Sequence, residues 1–241
     1  MGGVGSDICR LCLKKSELRN SHILPEFFYS GIYDDLHRTI ELSRDSERII
    51  QKGLREYLLC QECETKLSRY EGYAAKLIRD IPNFPCTPDG RFLFSENLNY
   101  HHLKLFQLSI LWRASIAKNI AFAQVNLGPH EEVVRSMLLE ENPGNSSDYG
   151  CVMMAMLNPE ILDKILLSPT LVKPKPFGHT VYKFSTGNIT WLFFVTSHNI
   201  NNQIQEFFLQ ETGLLKIRLA SDEKNLIINL GRIMKQFKGV I

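Results

Sequence analysis

Four cysteines stand in two pairs of identical spacing, Cys9-Arg-Leu-Cys12 and Cys60-Gln-Glu-Cys63. A two-residue spacer lets both thiolates of a pair point at one ion. Two such pairs can close a tetrahedron around Zn²⁺ at about 2.3 Å per ligand. The second pair falls just before and within the first turn of a predicted helix, where the positive end of the helix dipole favours thiolate. The 47 residues between Cys12 and Cys60 exceed the spacing of a simple zinc ribbon, so the insertion must itself be folded. Cys86 and Cys151 have no Cys or His at ligand spacing and read as buried free thiols.

The elements that must position these residues follow from apolar spacing. Leu18 to Pro25 suits a strand running into a turn. Phe27, Phe28, Ile32, Tyr33, Leu36 and Ile40 suggest a short amphipathic helix over 26–40. Ile49 to Leu59 reads as a strand, a turn at Lys52-Gly53 and a second strand entering Cys60. From Cys63 to Ile78 the recurrence of Leu67, Tyr70, Ala74, Leu77 and Ile78 predicts a helix.

After the turn chemistry of Pro82-Asn-Phe-Pro85, residues 97–123 form the main helical candidate. It is apolar almost all round and so belongs at the centre of a core. Within it, Arg113 must pair with an acid of the same fold or a ligand phosphate, and Lys104 and Trp112 sit on or near the same helix. His101-His102 fits a helix cap. Gly128-Pro129, followed by His130, opens another helix, and Asn158-Pro159 a third, through Leu167. Val181–Ser185 and Ile189–Val195 flank Thr186-Gly187-Asn188 as a hairpin. Residues 200–209 look helical, Leu214–Leu219 is a strand, and Ser221 caps a last amphipathic helix. The expected fold class is α+β: a zinc module over 1–80, then a helix-rich segment and a C-terminal α+β section over 81–241.

The arrangement of residues 7–80 resembles an HNH-like, treble-clef (ββα-metal) endonuclease module. The residues that carry the resemblance are the first knuckle, a strand bearing Ser21-His22-Ile23-Leu24-Pro25 in a His-x-x-Pro pattern, and Leu59-Cys60-Gln-Glu-Cys63 opening a helix that continues to Lys66. The resemblance implies that Cys9, Cys12, Cys60 and Cys63 hold a structural Zn²⁺. It implies that His22 is a general base activating water against a phosphodiester, with Mg²⁺ or Mn²⁺ stabilising the phosphate charge. Three positions depart from the pattern. Ser21 stands where the family has a metal-binding Asp or His, Glu64 where it has His or Asn, and Gly53–Tyr57 lacks its orienting Asn. Glu64 could ligate Mg²⁺ as a hard oxygen donor, with Ser21 beside it and Asn20 or Glu56 orienting His22. A degenerate module that only binds is the other outcome.

Composition sets the outer limits. The chain of 241 residues is 44% apolar and 22% charged, with a formal net charge of +2, so no global basic field drives nucleic-acid binding. Acids and bases cancel from Met1 to Asp80, whereas ten Lys/Arg face four Asp/Glu from Lys164 onward. Lys216, Arg218, Lys224, Arg232, Lys235 and Lys238 are the expected footprint of any polyanion. No secretory signal is visible, and the apolar stretch from Leu103 to Val125 is interrupted by Lys104, Arg113 and Lys118. The expectation is a cytoplasmic protein with no membrane span. Phosphate loops, nucleophile elbows and dinucleotide fingerprints are absent.

Two functions remain: a metal-dependent endonuclease or degenerate HNH nucleic-acid binder (DNA ahead of RNA), or a non-catalytic zinc-stabilised module for a protein partner. The pairing of such a module with an unfamiliar C-terminal section is similar to what bacterial mobile-element and phage-defence proteins carry.

Overall fold

In a computed structural model, residues 6–30, 32–42, 47–156, 165–172, 179–186 and 189–220 are described. The content is mixed α and β. A three-stranded sheet has the order β1 (Ser6–Ile8), β2 (Lys15–His22), β5 (Arg55–Cys60). An eight-stranded sheet has the order β4 (Glu47–Gln51), β3 (Arg38–Leu42), β8 (Ile165–Val172), β9 (Thr180–Thr186), β10 (Ile189–Val195), β7 (Cys151–Met156), β11 (Leu215–Ala220), β6 (Phe92–Ser95). The five helices of the described residues are α1 (Phe27–Ser30), α2 (Gln61–Asp80), α3 (Tyr100–Ile116), α4 (His130–Leu139) and α5 (Asn202–Gln205).

Most expected elements occur, with three differences. The helix over 26–40 is cut to α1, and Arg38–Leu42 is a strand instead. The β-branched Thr39 and Ile40 suit the strand. The strands on either side of Lys52-Gly53 belong to different sheets: β4 pairs with β3, β5 with β2. Leu166 and Leu167, expected at the end of a helix, lie in β8. The start of that helix (157–164), the turn at 187–188 and the last helix (221–241) lie outside the described residues.

Strand β3 lies parallel to β8, with Ile40 opposite Ile165. The hairpin β3–β4 therefore leaves the cysteine segment and joins the sheet built mainly from residues beyond 90. One apolar cluster runs from Cys9 and Leu18 through Leu67, Phe106 and Trp112 to Trp191 and Ile217. The stretches divided at residue 80 in the sequence thus share a sheet and a core.

Strand β10 is buried throughout. Its alternation explains why: Ile189, Trp191, Phe193 and Val195 face the cluster under α3, while Leu192 and Phe194 face a second cluster with Ile204 and Phe208. A strand covered on both faces carries a continuous apolar run. Trp191 meets Phe28 at 5.9 Å and Phe106 at 6.0 Å between ring centroids, locking α1 and α3 onto the sheet.

Helix α3 is buried on all sides and carries two cations inside. Arg113 is 1% exposed. It pairs with Glu71 of α2 at 2.7 Å and donates to the His22 carbonyl at the end of β2 at 2.9 Å. It also reaches Ser109 one turn back. Lys104, also 1% exposed, has no ion pair among the described residues and donates to the carbonyls of Ser146 and Tyr149, both at 3.3 Å. Burial pulls its ammonium down to about 8.

Two predictions follow from these cations. Removing one partner of a buried pair costs about 3–5 kcal/mol. Glu71 keeps a quarter of its side chain in solvent, which puts Arg113→Met near the lower end. In urea titrations, Arg113→Met should lose about 3 kcal/mol, and Arg113→Met with Glu71→Gln should lose less than the sum of the singles; additivity would refute the strut. For Lys104, the folded chain releases its proton near pH 8 and the unfolded chain near the ordinary 10.5. The cost of burying this charge is therefore full below pH 8 and relieved as pH rises towards 10.5. Wild type should gain stability relative to Lys104→Met across that window, read from paired denaturation curves.

Candidate metal centre and the His22 segment

The knuckle forms because the chain reverses tightly at residues 9–14. Leu13 N–H donates to the Cys9 carbonyl and Cys9 N–H to the Lys14 carbonyl, both at 2.9 Å, and Leu13 takes a positive φ of 58°. Cys60 ends β5 in extended backbone and caps α2, whose third residue is Cys63. The pairing of β2 with β5 places Leu18 opposite Cys60 and brings this helix start to the knuckle. Arg135 of α4 braces the knuckle from outside by donating to the Leu11 carbonyl at 2.5 Å.

The sulfurs of Cys9, Cys12, Cys60 and Cys63 all lie within 4.8 Å of one another. The Cys12–Cys60 separation is 3.9 Å, close to the roughly 3.8 Å edge of a ZnS₄ tetrahedron with 2.3 Å bonds. The donor set is compatible with zinc. In the absence of a cation the four sulfurs cannot all ionise. Cys9 is held well below the usual thiol range by the hydrogen bond from the Cys63 thiol, aided by backbone N–H groups of Cys12, Cys60 and Leu11. Donating that bond pushes Cys63 up, and burial pushes Cys12 up. A bound divalent ion supplies the missing charge and displaces the remaining thiol protons. Among the described residues this is the one cluster of three or more His, Cys, Asp or Glu able to hold a metal.

The structure fixes the surroundings of Ser21, His22 and Glu64. Ser21 is buried and donates to the Arg19 carbonyl at 3.3 Å. Glu64 sits in the first turn of α2, largely enclosed; burial raises its carboxyl, opposed by a hydrogen bond with Ser21 and by the Arg113 charge. His22 presents Nε2 to Glu26, a close contact not aligned as a hydrogen bond. Burial, then the nearby Arg55 charge, hold the imidazole below the usual histidine value. Tyr29 lies 6.2 Å from the ring. Gly53, at φ +71°, passes so close that a Cβ there would stand 2.9 Å from Tyr29 and 3.2 Å from the His22 Cδ2.

Neither residue expected to orient His22 does so by a direct contact. Glu56 accepts from the backbone N–H groups of Lys118 and Asn119, at 3.0 and 2.7 Å. Asn20 lies across the strand pair opposite Tyr57. The partner is Glu26, four residues on, a spacing visible in the sequence but not read from it. The acid of the same fold that Arg113 demands is Glu71, which is partly exposed.

Other candidates resolve locally. Asn99 caps α3 by accepting from the His102 N–H at 3.0 Å, and His101 Nε2 meets the Glu141 carbonyl at 2.7 Å. Cys151 is buried as expected, but Cys86 is exposed, because it lies on the short bridge to Leu93 at the sheet margin. Lys216 pairs with Glu206 at 3.1 Å, and Arg218 stacks over Phe92 at 4.9 Å. Lys224, Arg232, Lys235 and Lys238 lie outside the described residues. His130 Nδ1 lies 3.1 Å from the Tyr149 hydroxyl, at the edge of a polar cavity of about 490 Å³ that also takes in Asp148 and His198. No described helix is long and apolar enough to cross a membrane.

No protein-family model, curated protein or solved structure matches the chain.

Metal analysis of the purified protein should find about one tightly held divalent ion per chain. Cys60→Ser should lose it and unfold the segment around the cage, because the binding energy of a structural metal is folding energy. Full metal content in Cys60→Ser would refute the four-sulfur site.

Proposed function

We propose that the chain is a zinc-stabilised nucleic-acid-recognition protein built on an HNH-like, treble-clef module, and that it binds without hydrolysing through His22. The order of knuckle, antiparallel pair β2–β5, and helix α2 opening at the last two sulfurs supports the treble-clef reading. The Cys₄ donor set supports zinc over harder cations.

The observation that carries the non-hydrolytic reading is what surrounds His22. A general base needs its free nitrogen within reach of a water and a substrate. Here Nε2 faces Glu26, and Tyr29 and Gly53 close in on the ring. Ser21 and Glu64 turn inward with it, and Glu64 lies under the charge of Arg113. These residues act as joinery between β2, α1 and α2. Nucleic acid, DNA first, follows from the resemblance of the module. One observation favours the hydrolytic alternative: burial and the Arg55 charge shift the imidazole towards its neutral form, the form a base requires.

The same assay separates them. Wild type incubated with plasmid DNA and Mg²⁺ or Mn²⁺ should cleave no faster than His22→Ala. His22→Ala should instead lower stability by about 1–2 kcal/mol, the common cost of removing a packed, partnered side chain. Metal-dependent cleavage lost in His22→Ala at unchanged melting temperature would establish the endonuclease.

A further inference from the structure

A groove of about 690 Å³ opens beside the knuckle and the β2–β5 pair. Arg10 of the knuckle, Asn20 of β2, Arg55 and Tyr57 of β5, and Lys118 beyond α3 line it. The groove exists because Arg10 N–H donates to the Leu58 carbonyl at 2.9 Å, folding the knuckle alongside β5. Leu18, Leu58 and Ile116, all buried, make its floor.

Its chemistry is of three kinds in one place. Tyr57 is 58% exposed, an aromatic ring left open on a strand that is otherwise buried towards its cysteine end. Asn20 stands directly opposite in the β2–β5 register, offering an amide donor and acceptor beside the ring. Three cations converge on the rim. The side chains of Arg10 and Lys118 have no hydrogen bond or ion pair among the described residues, whereas Arg55 donates Nε to the Lys52 carbonyl at 3.0 Å and reaches Glu26 at 3.4 Å, keeping further donors for a ligand.

The two acids in the groove are already engaged. Both oxygens of Glu56 accept backbone N–H groups at 118 and 119, which fixes the turn that carries Lys118. Asp7 accepts from Ile8 N–H at 2.7 Å.

From this we infer that the groove takes single-stranded nucleic acid, with a base on Tyr57, its edge near Asn20, and phosphates on Arg10, Lys118 and Arg55. An open aromatic face receives only a base that has left its stack, and cations beside it track the backbone without reading sequence. An acidic peptide would use the cations but not an aromatic–amide pair. The inference rests on the reading of the module as a nucleic-acid binder and adds the surface and the strandedness.

The test is fluorescence anisotropy of the full chain with a labelled 15-nucleotide oligothymidylate and with a duplex of equal length, at low salt. Wild type should prefer the single strand. Loss of one stacked base is worth about 5- to 150-fold, so Tyr57→Ala should weaken binding by that factor while Tyr57→Phe retains it. Arg10→Gln with Lys118→Gln should lower the log–log salt slope by roughly 0.7 per lost phosphate contact. All three side chains are exposed, so metal content and melting temperature should hold and report folding. Binding unchanged in Tyr57→Ala and in the double variant would overturn the groove while leaving the nucleic-acid reading intact. Preference for the duplex would overturn the strandedness. No binding by wild type to either probe would overturn both, and an acidic peptide that binds wild type and not the double variant would reassign the surface to a protein.

Discussion

The buried guanidinium of Arg113 is the constraint around which the rest is arranged. It leaves the central helix α3 and is met by a carboxylate from α2 and a backbone carbonyl from the end of β2. A fully buried charge of this kind is tolerable only when its donors are used, because desolvation otherwise outweighs any attraction. Satisfying it fixes three elements relative to one another at one point. The carbonyl it engages belongs to His22, so the strut of the core is also the anchor of the segment that looks catalytic.

The cysteine cage fixes a second point about the same elements. It ties the knuckle to the junction of β5 and α2, and α4 braces it through Arg135. Between cage and strut, β2, β5 and α2 have little freedom. The hairpin β3–β4 then runs from this assembly into the eight-stranded sheet. A module that in isolation would have only a small core is thereby continuous with a much larger one. This offsets the shortage of buried area from which small zinc domains suffer.

This continuity bears on function. Ser21 and Glu64 pack inward, and His22 is partnered by Glu26 and walled by Tyr29. The groove beside the knuckle is open, with an exposed tyrosine and the cations of Arg10 and Lys118. A rigid scaffold displaying such a surface is suited to recognition.

The cysteine spacing by itself pointed to the four-sulfur cluster, since two Cys-x-x-Cys pairs that meet place four sulfurs within reach of one ion. The amphipathic run of α2, the all-round apolarity of α3 and the continuous apolar run of β10 were equally legible, because burial writes its period directly into the chain. The demand of Arg113 for an acid was legible too; its identity as Glu71 was not. Three things only the tertiary structure decided. Residues 38–42 became a strand because β8, more than 120 positions away, offered an edge, and no local pattern records such a partner. The two strands around Lys52-Gly53 parted into different sheets for the same reason. The third is what surrounds His22, namely Glu26, Tyr29 and the passage of Gly53, because long-range packing chooses what encloses a side chain.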